Sequence, residues 1–341
     1  MELLNWLYVQ DEAASLHLDH DALRIRSGDR DPRTLPLLAI EGVVCFGAVS
    51  VSTPLLQRMA RDGKSVVLLS RSGRFEARVE GPCRGNVLLR RDQHRALASP
   101  EDAREIARSI VAGKIQASRT TLLRAARDLG DNTTTPAVRD AATALAVLLP
   151  LVRDAVTIDG LRGYEGDAAA TYFGALRYLI RRPLTPPFDR RLRRPPRDPM
   201  NALLSFLYTL LRAEVSAAAE AAGLDPQVGF LHALRPGRPA LALDLMEELR
   251  SPIADRLALR LVNRNQITAA DFESGPAGEF SLAPRGRHVV LSEYRTRKQE
   301  PVNHPLLKRR IAWALVPHIQ ARLLARHLRG DLPAYIPFLT K

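Results

Sequence analysis

The sequence has little of what staples small folds together or carries chains across membranes. Two cysteines, Cys45 and Cys83, among 341 residues exclude a disulfide scaffold and any four-cysteine zinc module. Aromatic residues are scarce, at 5%, yet hydrophobic residues make up 46%, enough to bury a real core and to exclude a disordered basic tail. No long apolar run is present: the most apolar window, Leu35–Leu56, contains Glu41, two glycines and two prolines, and reads as strands rather than a membrane span. The opening Met1–Trp6 lacks the basic n-region of a signal peptide. No G-x-S-x-G elbow occurs, and Gly63-Lys64-Ser65 fails as a phosphate-binding loop because position 58 is Arg58 where glycine is needed. A cytoplasmic protein without a membrane segment is expected, its length suggesting about two domains.

Lysine is also scarce: five of the 50 basic residues are Lys, the rest Arg. Arginine suits bidentate phosphate contacts, and a GC-rich genome would give the same bias. The net charge of +13 is uneven. Residues 1–100 hold 14 basic and 12 acidic residues, so the remaining excess of about +11 belongs to residues 101–341. Its densest run is Arg177, Arg181, Arg182, Arg190, Arg191, Arg193, Arg194 and Arg197, with Asp189 the one acid among them. Five prolines break that run, so it is a loop and not a solvated helix face. A second cluster spans Arg285–Arg310. Either could meet nucleic-acid phosphates.

Short β-like runs fill residues 1–95: Ala22–Arg26, Leu35–Ile40, Val43–Phe46, Ser65–Leu69, Phe75–Val79 and Asn86–Leu89. One helix is expected over Thr53–Arg61, capped by Thr53 with Pro54 behind it. Beyond Ser99-Pro100-Glu101-Asp102, a helix-start signal, the apolar period becomes helical. Helices are expected near 100–115, 117–129, 136–155, 165–181, 200–222, 241–261 and 303–328. The expected class is α+β: a small β-rich domain at 1–95, then a larger all-α domain at 96–341.

Within the helical part, His232 precedes the turn Arg235-Pro236-Gly237-Arg238. Asp244 and Glu247, three apart, share a face of the next helix beside Leu241, Leu245 and Leu249. Acids near an apolar stripe need a partner or a metal, and mixed N/O ligation suits Mn²⁺ and tolerates Mg²⁺. Phosphodiester chemistry needs a further acid, and Glu165 between Gly163 and Gly166 is the candidate. A favourable helix dipole would explain Glu165 equally well.

Three stretches in order, Leu161–Ala169, Asp198–Tyr208 and Gly229–Arg250, resemble the CRISPR-associated protein one family, the metal-dependent endonuclease and integrase of CRISPR adaptation, and look closest to bacterial type I, subtype C, members. The resemblance implies that Glu165, His232 and Glu247 bind Mn²⁺ or Mg²⁺ and carry catalysis, with Asp244 supporting them. It gives Asn201 a packing role. It further implies insertion of a prespacer into the CRISPR array by transesterification at the leader-repeat boundary. A homodimer through the β-rich domain and assembly with CRISPR-associated protein two follow from it as well. From the residues themselves, Arg181, Arg182, Arg190, Arg191, Arg193 and Arg194 are expected to track double-stranded DNA, and Arg235 and Arg238 to neutralise the scissile phosphate. The competing reading is a non-catalytic, Arg-rich nucleic-acid-binding protein.

Overall fold

The computed structural model describes residues 6–28, 30–79, 81, 87–182, 184–192 and 195–339. The chain divides into two compact units, Met1–Arg84 with Leu282–Leu291, and Gly85–Ser281 with Ser292–Lys341. The expected domain boundary near residue 95 falls within the helix Val87–Ala98.

The first unit is built on two four-stranded sheets. One is ordered β1 (Trp6–Val9), β5 (Gly42–Phe46), β7 (Ser65–Leu69), β8 (Phe75–Val79), with the first three strands parallel and β8 antiparallel to β7. The continuous apolar runs of β5 and β7 are what a parallel strand covered on both faces requires. The other is ordered β4 (Arg30–Pro36), β3 (Ala22–Ser27), β2 (Ala14–Asp19), β6 (Ser50–Val51). Helix α1 (Thr53–Arg61) follows β6, its N-cap at Ser52 rather than the expected Thr53. Leu55 and Met59 of α1 join Leu16, Leu23, Val43, Cys45 and Val66 in one core. Burial pushes the Cys45 thiol up to about 12, so it is inert packing. Gly42 has a steric cause: a Cβ there would lie 2.6 Å from the Trp6 ring opposite.

The second unit is helical, with α2 (Val87–Ala98), α3 (Pro100–Leu129), α4 (Thr135–Asp154), α5 (Ile158–Leu176), α6 (Pro199–Ala221) and α7 (Ala240–Leu249). A π-helical segment, Arg250–Asp255, leads into α8 (Arg256–Asn263). Hairpin strands β9 (Phe272–Ser274) and β10 (Phe280–Leu282), helix α9 (Pro284–Gln299), hairpin strands β11 (Pro301–His304) and β12 (Arg309–Ala312), and α10 (Val316–Leu328) complete the chain. By length and composition α4 and α6 could each cross a membrane; most of that stretch of α6 is spent on the core.

Several expected elements differ. The helices expected at 100–115 and 117–129 are one, α3, started by Ser99 Oγ accepting from the Asp102 amide at 3.3 Å. Residues 87–89 of the expected strand Asn86–Leu89 open α2, since three apolar residues in a row carry no period. The helix expected at 165 begins at Ile158, where Thr157 Oγ1 caps Gly160 N at 3.0 Å. The expected helix 303–328 is a hairpin followed by α10, with Lys308 in the left-handed region at φ 51°.

Candidate functional site

Four segments of the helical unit converge. Helix α3 brings Lys114, α5 brings Glu165, and α7 brings Asp244 and Glu247, with His232 on the turn before α7. Asp244 is fully buried at 0% exposure and organises that turn. Its Oδ2 accepts from the amides of Phe230 (2.6 Å) and Leu231 (3.0 Å), and its Oδ1 accepts from the His232 amide at 3.0 Å. The turn can approach α7 this closely because residue 229 is glycine: a Cβ on Gly229 would sit 2.6 Å from the Ala240 carbonyl carbon and 2.7 Å from Asp244 Oδ2. Arg162 of α5 pins the same turn, donating to the Leu231 carbonyl at 2.7 Å.

The His232 ring lies with Nδ1 2.7 Å from Asp244 Oδ1, which assigns the Nδ1–H tautomer. Its Nε2 is thereby left as the lone-pair nitrogen, 3.7 Å from Glu247 Oε1. The carboxylate behind the imidazole is the usual arrangement for orienting a metal-ligating histidine. Glu247 is 1% exposed and the Glu165 side chain 19% exposed, so one acid sits at the floor and the other at the mouth. The Lys114 ammonium lies between them, paired with Glu165 Oε1 and 2.8 Å from Glu247 Oε2. Arg250, at the start of the π-helical segment, approaches Glu247 Oε1 to 3.0 Å. Burial alone would raise the Glu247 pKa, but Arg250 and Lys114 hold it well below the ordinary range. Glu247 is therefore a carboxylate.

These donors fit a hard divalent cation. Both oxygens of Glu247 are buried without a well-formed hydrogen bond, although cations stand near them. An imidazole nitrogen and two carboxylates match Mn²⁺ or Mg²⁺. Among the described residues no three His, Cys, Asp or Glu side chains are already closed to ligand spacing, because Lys114 stands between the two glutamates. Gly163 and Gly166 flank Glu165 on an open face, where an added Cβ meets nothing within 4 Å.

Lys114 and Arg250 were not expected from the sequence. Lys114 is legible afterwards, as a charge inside the run Ile110-Val111-Ala112-Gly113-Lys114-Ile115 of an otherwise arginine-dominated chain.

Of the loop arginines, Arg181, Arg182 and Arg190 are exposed. Arg191 must be corrected. It is half-buried, donates to Leu192 O (2.6 Å), Asn201 Oδ1 (2.7 Å) and Ser205 Oγ (3.0 Å), and lies 5.3 Å from the Tyr208 ring. Its charge holds the loop on α6 and does not reach outward. Arg193 and Arg194 lie outside the described residues. Arg235 is exposed and Arg238 half-buried on the turn beside His232. Asn201 is the loop's anchor: its Oδ1 also accepts from Leu192 N at 2.9 Å and its Nδ2 donates to Arg190 O at 2.8 Å. Arg250 lies over the same Tyr208 ring at 5.0 Å, so the loop connects to Glu247 through Arg191, Tyr208 and Arg250. The second basic cluster is divided. Arg297 and Lys298 are buried, Lys298 paired with Glu214 at 2.6 Å, while Arg309 and Arg310 are exposed.

A sequence profile described as "CRISPR associated protein Cas1" matches residues 7–296. The chain is 46% identical over 338 residues to a CRISPR-associated endonuclease Cas1 of Moorella thermoacetica, covering 99% of this chain and 98% of that one. It is 48% identical over 345 residues to another from Rhodospirillum rubrum, covering 100% and 99%. Among solved structures, a Cas1 protein from Thermotoga maritima superposes with a TM-score of 0.82 at 21% identity, over 96% of this chain and 97% of that one. A casposase bound to its integration product gives 0.82 at 22% identity, over 98% and 92%. At these identities the two structural likenesses speak for the fold.

Proposed function

The chain belongs to the Cas1 family of CRISPR-associated endonucleases, and from that footing we propose that Glu165, His232 and Glu247 form its catalytic centre. The protein is a metal-dependent DNA endonuclease and integrase of CRISPR adaptation, inserting new spacer DNA at the leader-repeat boundary. The observation that carries the site assignment is the pair of buried Glu247 oxygens without well-formed hydrogen bonds, facing the free Nε2 of His232.

A bound Mn²⁺ or Mg²⁺ supplies Lewis-acid polarisation of the phosphoryl oxygen and lowers the pKa of the attacking hydroxyl or water. The chain's own residues do the rest. Asp244 keeps the His232 ring in the tautomer that presents Nε2. Arg250 holds the Glu247 carboxylate at 3.0 Å and offsets its charge. Lys114 balances the charges of Glu165 and Glu247, and would compete with a cation held by the two carboxylates. Arg235 and Arg238 on the His232 turn are placed to neutralise the phosphate under attack, and Arg181, Arg182 and Arg190 to meet duplex phosphates farther along.

The β-rich unit supports self-association into a homodimer, and the family supports assembly with Cas2 in the bacterial cytoplasm. A purely DNA-binding protein has no use for a buried, ionised glutamate beside an oriented imidazole. Cleavage and strand transfer of labelled DNA in Mn²⁺ or Mg²⁺ test the assignment. Glu165→Ala, His232→Ala and Glu247→Ala are each expected to lose about a hundredfold or more. Activity kept by all three would refute it.

A further inference from the structure

Helix α7 carries a third buried acid that the proposed mechanism does not use. Glu248 follows Glu247 in the chain and is 2% exposed, with no ion pair among the described residues. Its hydrogen-bond partners are all neutral donors. Tyr335 Oη donates to Glu248 Oε1 at 2.7 Å, Gln320 Nε2 donates to the same oxygen at 2.9 Å, and the Phe338 amide donates to Oε2 at 2.7 Å. A buried acid held by neutral groups alone is costly, and an apolar side chain would pack there without needing partners. What the acid provides is a grip. Gln320 lies on α10, and Tyr335 and Phe338 lie on the irregular stretch 331–339 that follows it.

That stretch is a strap across two helices. On α3 it passes Gly113, where an added Cβ would sit 2.7 Å from Pro337 Cβ and 3.2 Å from Glu248 Oε2. Strap and carboxyl group thus both press on bare α3 backbone. Gln320 Nε2 ties the strap again at the Ile336 carbonyl, 3.1 Å away. Phe338, 1% exposed, anchors it, with its ring 5.3 Å from His304 and 5.4 Å, edge to face, from Trp313.

The strap meets each helix one residue from the candidate site. Gly113 precedes Lys114, Glu248 follows Glu247, and Lys114 Nζ lies 2.8 Å from Glu247 Oε2. Consecutive helix residues point about 100° apart, so Glu247 faces the cation site while Glu248 faces the strap. Glu247 and His232 travel with α7, the latter through Asp244. Lys114 and its partner Glu165 belong to α3 and α5. A slip between α7 and α3 would part these two pairs, and a misplacement of about 1 Å is enough to cost about a hundredfold in rate. We propose that Glu248 is a positioning residue: by gripping the strap it fixes α7 against α3 and so sets Glu247 and His232 at the right distance from Glu165. This rests on the site assignment made above.

The test measures Mn²⁺ binding without DNA, by electron paramagnetic resonance, and the kcat and KM of strand transfer. The proteins are wild type, Glu248→Gln, Tyr335→Phe, Phe338→Ala and Glu247→Ala, each below its unfolding range. Glu248→Gln keeps the side chain's shape but sets an N–H against the Phe338 N–H. Phe338→Ala frees the strap and leaves every residue assigned to the metal in place. Both are expected to lose about tenfold in Mn²⁺ affinity and in kcat, with KM for DNA moved by less than about twofold. Tyr335→Phe, which drops one of the three hydrogen bonds, should lose about threefold. A purely structural role would lower Tm and leave the Mn²⁺ affinity of the folded protein unchanged. Wild-type Mn²⁺ affinity and kcat in folded Phe338→Ala would therefore overturn the proposal. So would a loss in Glu248→Gln that neither strap variant shares, because the effect would then arise from charge beside Glu247. Should Glu248→Gln and Phe338→Ala both fail to fold, Tyr335→Phe decides by the same criterion. Glu247→Ala binding Mn²⁺ as tightly as wild type would overturn the site assignment itself, which separates the two failures.

Discussion

Asp244 and Glu165 are both acids of the candidate site, yet their surroundings give them opposite jobs. Asp244 satisfies three backbone amides and the His232 ring in a site with no solvent access. Asp244→Ala orphans those donors and should cost about 3–5 kcal/mol. Glu165 sits at the mouth, and Lys114 keeps Glu247 as a partner without it. Glu165→Ala should therefore change stability by less than about 1 kcal/mol, read by the same denaturation curves. Equal losses in the two variants would show that the division of roles is wrong. Lys114 gives a second expectation. Lys114→Met removes the cation that would compete with a bound metal, so saturating Mn²⁺ should raise the variant's Tm more than the wild type's, followed by differential scanning fluorimetry. An equal or smaller rise would mean the ammonium and the metal do not compete.

At the scale of elements, α10 carries a half-buried titratable group away from the site. Burial, with Arg322 and Lys298 nearby, pushes His318 down to about 4 from its ordinary 6.5. The folded state keeps it neutral while the unfolded chain takes up a proton near 6.5. Its contribution is thus full above that pH and is lost as pH falls from 6.5 toward 4. Denaturation near pH 7 and near pH 5 should show a decline that His318→Gln reduces, by on the order of 1 kcal/mol. The elements also show what the sequence could carry. Strands β3, β5, β7 and β8 and helices α1, α4, α6 and α7 were legible because their apolar period is clear, and the start of α3 because its cap at Ser99 is explicit. Helix α9 was hidden by its low apolar content, and the β11–β12 hairpin by a turn of Pro305–Lys308 with no glycine. At the site, Glu165, His232, Asp244 and Glu247 were readable through motif resemblance. Lys114, which sits 51 residues from Glu165, becomes a site residue only when α3 and α5 pack. Arg191 misled because an arginine run in sequence does not reveal which member turns inward onto Tyr208.

For the whole molecule, the positive charge divides between exposed loop arginines, such as Arg182 and Arg190, and cations held inside the helical unit, such as Lys114, Arg297 and Lys298. If the exposed loop arginines meet duplex phosphates as proposed, then in Arg182→Gln/Arg190→Gln the slope of log affinity for duplex DNA against log salt should flatten by about 0.9 for each duplex phosphate no longer neutralised. An unchanged slope would remove the loop from the DNA surface. The central claim concerns the acidic centre itself, and direct Mn²⁺ binding measured by electron paramagnetic resonance, without DNA, tests it most plainly. The wild-type protein should take up Mn²⁺ at a site that Glu165→Ala, His232→Ala and Glu247→Ala each weaken by about tenfold or more while remaining folded. Mn²⁺ binding of equal strength in all three folded variants would contradict it.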